Sequence, residues 1–228
     1  KVLLIEQEDD LGGEILSTKN KNIKIDNLPI NEWKNKIIDK LSKFSNVKIV
    51  KNTTCFAYLN YNLLLAVQEI DPEKGLNKIN DIRERIWKIR SKKVILATGA
   101  IERPIIFNNN DRPGIMLSNS AKKYLNKYGV APGKNLVFFT NNDSAYETAI
   151  DFFEQGIKVE AIVDTRDNSD GYFPKKANEL GITIIKGHEI SDTVGRLKIR
   201  EVKLRKIKTN NNEKSSINIK CDLLAIAG

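Results

Sequence analysis

The sequence predicts an α/β fold built on parallel strands, and three apolar stretches carry that prediction. Residues 1–6 and 94–96 are short apolar runs beside charged residues, as expected for parallel strands that are covered on both faces. A third run, 221–228, ends like the second in a small residue and a glycine. Because glycine has no Cβ, it lets the backbone pass close to a ligand where a strand ends. The pattern is typical of a sheet whose carboxyl edge meets a dinucleotide.

The elements of the first predicted domain, residues 1–108, follow in order. After strand 1–6 comes a polar loop and then a helix near 31–44, in which the apolar residues lie close to helical spacing. Further strands are predicted at 47–50, 53–59, 63–70 and 85–90. The last three would form a β-meander that crosses over to the strand at 94–96.

The second predicted domain, residues 109–220, opens at the proline-glycine turn that ends in Gly114. A helix ending at Gly129 and a βαβ unit follow, the latter with strand 135–140, helix 143–155 and strand 159–164. Beyond it we predict a helix at 172–180, a strand at 183–186, a hairpin at 191–207 and a loop tip at 208–216. Residues 221–228 are predicted to return to the first domain. The whole is a Rossmann-like FAD/NAD(P)-binding fold of two interleaved dinucleotide-binding domains with a β-meander.

A candidate cofactor site lies where two strands of the first domain end. A carboxylate at the tip of the second strand of a Rossmann unit accepts hydrogen bonds from the adenosine ribose, and Glu6 stands at such a tip. The same carboxylate would repel a 2′-phosphate, which favours NAD or FAD over NADP. Gly12 and Gly13 would allow a sharp turn beside the cofactor, and Thr98 and Gly99 would carry the backbone past it. A solvated strand end at Glu6 and an ordinary turn at Gly99 are the alternatives.

Two loops lack the glycines that a complete dinucleotide site requires. The strand and the Gly-x-Gly-x-x-Gly loop expected before Lys1 are absent from this sequence. We therefore expect an internal piece of a longer polypeptide, or a chain without its phosphate loop, and assign pyrophosphate binding to no residue. In the second domain, Asn and Asp replace the expected glycines in the turn at 140–145, which disfavours a nucleotide there.

Composition narrows the function classes further. The net charge of +9 comes from scattered lysines without interleaved aromatic residues, which indicates a basic solvated surface and no nucleic-acid site. Cys55 and Cys221 form no Cys-x-x-Cys pair, and the single histidine, His188, lacks partner ligands, so neither a redox disulfide nor a metal site is expected. The sequence shows no signal peptide and no apolar run of membrane-spanning length. This favours a cytoplasmic protein that is not inserted into a membrane. No residue is predicted as catalytic, so redox chemistry would belong to a cofactor.

Several long motifs are more specific than a single strand and turn. They are Thr53–Tyr58, Ala97–Pro104, Asn109–Met116, Tyr124–Gly133 and Phe138–Tyr146. Together they resemble the α subunit of heterotetrameric sarcosine oxidase. The similarity runs over almost the whole chain, although related amine and amino-acid dehydrogenase subunits share part of the pattern.

This resemblance implies a complex that oxidatively demethylates sarcosine to glycine and forms hydrogen peroxide. In that family the β subunit holds FAD, FMN lies at the α/β interface, γ and δ subunits complete the heterotetramer, and the first domain of the α subunit holds NAD. The one-carbon unit leaves as formaldehyde or passes to tetrahydrofolate at a C-terminal domain that is not in this sequence.

The resemblance also implies roles for particular residues. Glu6 would hold the adenosine ribose beside the turn at Gly12 and Gly13. The backbone of Thr54 and Cys55 would lie by the adenine, and Ala97, Thr98 and Gly99 would pack against the dinucleotide. Cys55 stands where a β-branched apolar residue is expected.

Three other functions stay open on sequence alone. Two belong to the same superfamily: an NAD(P)H-dependent flavin oxidoreductase, which would need a glycine-rich turn in the second domain, and an amino-acid dehydrogenase subunit. The third is a cofactor-free interaction module that keeps the fold.

Overall fold

A computed structural model describes residues 1–19, 23–70, 82–207 and 217–228. The chain divides into two compact units, the first made of Lys1–Ile15 and Asn20–Gly99, the second of Leu16–Lys19 and Ala100–Gly228. The division falls before the predicted boundary at 108/109 because Ile105 and Phe107 pack into the core of the second unit. The predicted loop tip at 208–216 lies outside the described residues.

The first unit contains a parallel strand pair, one helix and an antiparallel meander. Strands β1 (Val2–Ile5) and β4 (Val47–Val50) pair in parallel, with Ile5 opposite Val50. Between them lie a short hairpin that the sequence did not predict and the predicted helix. The elements are β2 (Lys24–Ile25), β3 (Leu28–Pro29), α1 (Ile30–Ser42), and the meander β5 (Thr53–Leu59), β6 (Leu63–Glu69) and β7 (Glu84–Arg90).

The predicted strand at Val94–Leu96 is wrong. These residues form no strand, and the side chains of Ile95 and Leu96 are 91% and 68% exposed. A parallel strand needs a neighbour that accepts and donates its backbone hydrogen bonds. Among the described residues, β1 pairs only with β4, so Val94–Leu96 has no ladder to join.

The second unit is built on a five-stranded parallel sheet in the order β11-β10-β9-β15-β8. The helix α2 ends, as predicted, at Gly129, whose φ of 68° places it in the left-handed region that glycine adopts freely. The elements are β8 (Ile115–Leu117), α2 (Ser118–Tyr128), β9 (Asn135–Thr140), α3 (Ser144–Glu154), β10 (Lys158–Asp164), α4 (Tyr172–Glu179), β11 (Ile184–Lys186), then β12 (His188–Val194), β13 (Glu201–Lys206), β14 (Ile217–Lys220) and β15 (Leu223–Ala227).

The predicted return of residues 221–228 to the first domain does not occur. Strand β15 lies inside the sheet of the second unit, between β9 and β8. All five of its residues are buried, with Leu223 and Ala225 in the core on one face and Leu224 and Ile226 in the core on the other. A strand that is apolar on both sides requires such a central position.

Three layers result in the second unit. Along β9, Leu136 and Phe138 pack with α2 and α3, whereas Val137 and Phe139 pack with residues of β12 and β13. The helices therefore cover one face of the parallel sheet, and the antiparallel strands β12, β13 and β14 cover the other.

Two adjacent phenylalanines of α3 test this layering. Phe152 is fully buried, whereas Phe153 is 38% exposed. We expect Phe152→Ala to lower the free energy of unfolding by about 3–5 kcal/mol, because it removes a large buried side chain and leaves a cavity. Phe153→Ala, the matched control, should cost roughly 1 kcal/mol or less. Urea denaturation measures both, and equal losses would contradict the layering.

Candidate functional site

The carboxyl ends of β1 and β4 form one edge of the first unit. The Glu6 N–H donates to the Val50 carbonyl at 3.0 Å, which continues the pairing beyond Ile5. Glu6 and Lys51, the residues that follow the last paired positions, are therefore neighbours at this edge. The Glu6 carbonyl in turn accepts from the N–H of Thr53 at 2.9 Å, which places the start of β5 beside Glu6.

The side chain of Glu6 is half-buried and partly engaged. Its Oε1 accepts a hydrogen bond from the Glu8 N–H at 3.0 Å. Its second oxygen, Oε2, forms no hydrogen bond or ion pair within the part of the chain that the structure describes. The carboxylate is thus oriented by its own loop and keeps one acceptor oxygen available.

The loop after Glu6 is tied to the neighbouring strand ends. The Glu8 carbonyl accepts from the Asn52 N–H at 3.0 Å. Asp10 Oδ1 lies 3.1 Å from Lys51 Nζ and accepts from the Leu11 N–H at 2.9 Å, and Asp10 Oδ2 lies 3.8 Å from Lys34 Nζ. The hydrogen bond from Lys51 lowers the pKa of Asp10 below its usual value. Backbone and side-chain bonds together set the loop's course before any ligand arrives.

Gly12 and Gly13 end this loop in a sharp turn. Their φ angles of 139° and 53° lie in the region that favours glycine, and the Gly12 carbonyl accepts from the Ile15 N–H in the 3-10 helix Gly13–Ser17. The space where a Cβ of Gly13 would lie is open. The turn predicted at these two residues is therefore present.

Thr54 and Cys55 follow Thr53 on β5 and are both exposed. A bulge separates Cys55 from Ala57, and the free Cys55 thiol lies 3.6 Å from the Ala57 carbonyl. The bulge adds a residue to β5 and bends this strand next to the edge that holds Glu6.

Ala97, Thr98 and Gly99 are placed differently. All three are exposed, and Gly99 has a φ of 71° with open space around its Cβ position. Within the described residues, no hydrogen bond joins them to Glu6 or to residues 7–13. The structure therefore brings Glu6, Gly12, Gly13 and the start of β5 to one edge, but it does not bond the predicted Ala97–Gly99 turn to that group.

The second unit contains a buried ionic network that was not predicted from the sequence. Asp164, at the end of β10, is fully buried and accepts from Arg166 Nη2 and Tyr146 Oη, at 2.8 and 2.7 Å. Arg166 also donates to Asp143, at the start of α3, at 2.8 Å. Burial raises the pKa of Tyr146, and the hydrogen bond to Asp164 raises the pKa of Arg166. The Asp-x-Arg spacing at the end of a strand was the available signal.

A further carboxylate lies at the start of two helices in this unit. Glu102 accepts from the Asn119 N–H at 2.7 Å and from Ser144 Oγ at 3.1 Å, in the first turns of α2 and α3. Helix N-termini attract anions, and the start of α3 is where a Rossmann unit would hold a pyrophosphate. Glu102 thus places a carboxylate where a dinucleotide would bring more negative charge.

His188 and Cys221 were the other residues considered as functional groups. His188 Nδ1 lies 2.6 Å from the Lys186 carbonyl, and burial raises the pKa of the Cys221 thiol to about 12. Over the described ranges, no group of three His, Cys, Asp or Glu residues could hold a metal ion. In the same residues, no helix is long and apolar enough to cross a membrane.

Solved structures of other proteins share the fold of this chain. No family model matches the chain. Thioredoxin reductase from T. acidophilum aligns with a TM-score of 0.67 and 14% identity, over 100% of this chain and 68% of that one. L-proline dehydrogenase from P. horikoshii aligns with a TM-score of 0.62 and 23% identity, over 100% of this chain and 37% of that one. The protein therefore has the Rossmann-like fold of FAD- and NAD-binding oxidoreductases.

The chain also has relatives that are similar in sequence. Sarcosine oxidase subunit alpha of Corynebacterium sp. strain U-96 is 31% identical over 234 residues, and that of Rhizobium meliloti strain 1021 is 34% identical over 187 residues. The first alignment covers 100% of this chain and 24% of the relative, the second 82% and 19%. The chain is therefore similar to sarcosine oxidase α subunits, and it spans about a quarter or less of the length of these relatives.

The network around Asp164 allows a stability test. We expect Arg166→Ala to lower the free energy of unfolding by about 3 kcal/mol, because it leaves a buried carboxylate without its cation. The matched control is Arg205→Ala, whose ion pair with Glu189 is exposed and should contribute roughly 1 kcal/mol or less. Chemical denaturation at neutral pH measures both, and an equal, small loss would show that water replaces the guanidinium.

Proposed function

We propose that the first unit binds NAD at the edge formed by β1 and β4, with Glu6 as the ligand of the adenosine ribose. The observation that supports this most directly is the state of the Glu6 carboxylate. Its Oε1 is held by the Glu8 N–H at 3.0 Å, its main chain is held by Val50 and Thr53, and its Oε2 keeps an available acceptor. A fixed carboxylate at this point of a Rossmann unit suits a pair of ribose hydroxyls.

The surrounding residues fit the rest of such a ligand. Gly12 and Gly13 turn the chain away without side chains that would obstruct it. The exposed backbone of Thr54 and Cys55 offers a surface for the adenine ring. Ala97, Thr98 and Gly99 would pack against the dinucleotide from their own exposed segment. NAD, when bound, supplies a nicotinamide that can exchange hydride, and these residues would only hold and orient it.

We assign no dinucleotide to the second unit. The start of α3 already holds the carboxylate of Glu102, Asp143 is paired with Arg166, and Asp164 is fully buried against Arg166 and Tyr146. A ribose could not reach Asp164, and a pyrophosphate would meet like charge at the helix N-terminus. This supports the sarcosine oxidase assignment over an NAD(P)H-dependent flavin oxidoreductase.

For the whole protein, we propose a role as the α subunit of a sarcosine oxidase. Sarcosine, oxygen and water would yield glycine, formaldehyde and hydrogen peroxide, with tetrahydrofolate able to take the one-carbon unit as its methylene derivative. FAD would lie in the β subunit and FMN at the α/β interface, with γ and δ subunits completing a cytoplasmic heterotetramer. The names of the relatives, at 31–36% identity, support this proposal.

A second candidate is an amino-acid dehydrogenase subunit. L-proline dehydrogenase aligns over the whole of this chain at 23% identity, so the fold fits a proline-oxidising complex as well. The two functions differ in substrate and acceptor, and they share the proposed nucleotide site.

Glu6→Ala tests the nucleotide site. We expect this change to weaken NAD binding to the full-length protein by about 1–3 kcal/mol, or roughly 5- to 150-fold, because it removes a charged hydrogen-bond acceptor. Glu32→Ala, an exposed position on α1, is the control and should leave the affinity unchanged. Calorimetry on protein freed of bound nucleotide gives both values. Equal affinities for wild type and Glu6→Ala would refute the assignment.

Substrate turnover separates the two whole-protein functions. The complete complex, supplied with sarcosine and oxygen, should produce hydrogen peroxide and formaldehyde in equal amounts. With L-proline and a dye acceptor it should show little reduction. The reverse pattern would favour the dehydrogenase.

A further inference from the structure

We propose that Asp10 is a specificity-determining residue of the nucleotide site, which excludes a 2′-phosphorylated dinucleotide by holding the ammonium groups of Lys51 and Lys34. This inference rests on the proposed NAD site at Glu6. Glu6 would reject a 2′-phosphate by direct repulsion, and Asp10 would do so by occupying the cations that could attract it.

Lys51 lies beside Glu6 at the edge formed by β1 and β4. Ile5 and Val50 are the last paired residues of β1 and β4, and the Glu6 N–H bonds to Val50. Lys51 therefore follows β4 as Glu6 follows β1, side by side at the same edge. An ammonium group so placed is a ready ligand for a phosphate on the ribose that Glu6 would hold.

The ammonium group of Lys51 is paired with Asp10. Its Nζ lies 3.1 Å from Asp10 Oδ1, in the loop that Glu6 begins. The Leu11 N–H also donates to this oxygen at 2.9 Å, which fixes the carboxylate in place. The cation beside Glu6 is thus engaged by a positioned carboxylate.

Lys34 adds a second cation to the same carboxylate. Its Nζ, carried by α1, lies 3.8 Å from Asp10 Oδ2, and its side chain is 15% exposed. A largely buried ammonium needs a nearby negative charge, and Asp10 supplies it. The lowered pKa of Asp10, caused first by the hydrogen bond from Lys51, keeps the carboxylate ionised at neutral pH.

The ammonium groups of Lys34 and Lys51 are both engaged by Asp10, and Glu6, Glu8 and Asp9 add further carboxylates to the same loop. This edge therefore suits an uncharged ribose. A 2′-phosphate would bring a charge of about −1.5 to −2 next to two carboxylates. Without Asp10, the ammonium groups of Lys34 and Lys51 would lose the carboxylate that engages them and could attract a phosphate.

A purely structural role of Asp10 predicts something different. Asp10 also braces the loop of residues 7–13, and loosening this loop would weaken every nucleotide to the same extent. The ratio of the dissociation constants of NAD and NADP therefore separates the specificity role from the structural role. A residue that only stabilises the loop would change both constants by the same factor.

The test uses full-length protein freed of bound nucleotide and measures the dissociation constants of NAD and NADP by calorimetry. The variants are Asp10→Asn, Glu6→Ala and the double variant, with Asp39→Asn, an exposed aspartate of α1, as the matched control. We expect Asp10→Asn to shift the NADP/NAD affinity ratio toward NADP by roughly tenfold, the scale of one charged hydrogen bond, and the double variant to shift it further. Asp39→Asn should leave the ratio unchanged.

Lys51→Met in the Asp10→Asn background provides the second arm. It should return the affinity ratio toward the wild-type value, because it removes the released cation. An unchanged ratio in Asp10→Asn, or a shift that Lys51→Met does not reverse, would overturn the inference even if Glu6→Ala weakens NAD. Absence of any NAD binding by the wild type would instead refute the proposed nucleotide site itself.

Discussion

Parallel strand pairing is the constraint on which both units of this protein depend. It brings residues far apart in the chain to one edge, because all paired strands end on the same side. In the first unit it sets Glu6 next to Lys51 through the pairing of Ile5 with Val50. In the second unit it sets Thr140, Asp164 and Ala227 along one edge of a five-stranded sheet. In the second unit, where these strands are covered on both faces, polar groups lie where the strands end.

The two edges differ in how their carboxylates are engaged. In the second unit, Asp164 accepts hydrogen bonds from Arg166 and Tyr146, and Glu102 accepts them from the first turns of α2 and α3. The first unit orients a carboxylate and leaves one oxygen of it available. A buried ion that is fully paired stabilises the fold only if its partners remain in place, and it offers little to a ligand. An oriented and partly available ion suits recognition, and this contrast is the reason that the proposed function lies in the first unit.

Local patterning predicted most of the elements but not their neighbours. The boundaries of β4, β5 and β9 follow from apolar runs and turn residues, and those of α2 from helical spacing and Gly129. The same kind of pattern was misleading at Val94–Leu96, where an apolar run forms no strand, and at 221–228, where a correct strand lies in the other unit. Strand propensity is a property of a segment, whereas pairing requires a second segment with open hydrogen-bonding groups.

The residues of the candidate site likewise include one that was predicted from the sequence and one that was not. The sequence predicts Glu6 as a ribose ligand, because a carboxylate after an apolar strand has a known place in a dinucleotide fold. It did not identify Asp10, which is paired with Lys34 and Lys51 over 24 and 41 residues of sequence.

By itself, the sequence determined the fold class, the order and type of most elements, and the family resemblance, because these depend on residue type and on spacing over a few turns or strands. Tertiary structure alone decided which strands became neighbours, which carboxylates found cations and which kept an oxygen free. Those outcomes depend on distances between atoms that the chain brings together only when it folds, and no local pattern of residues carries them.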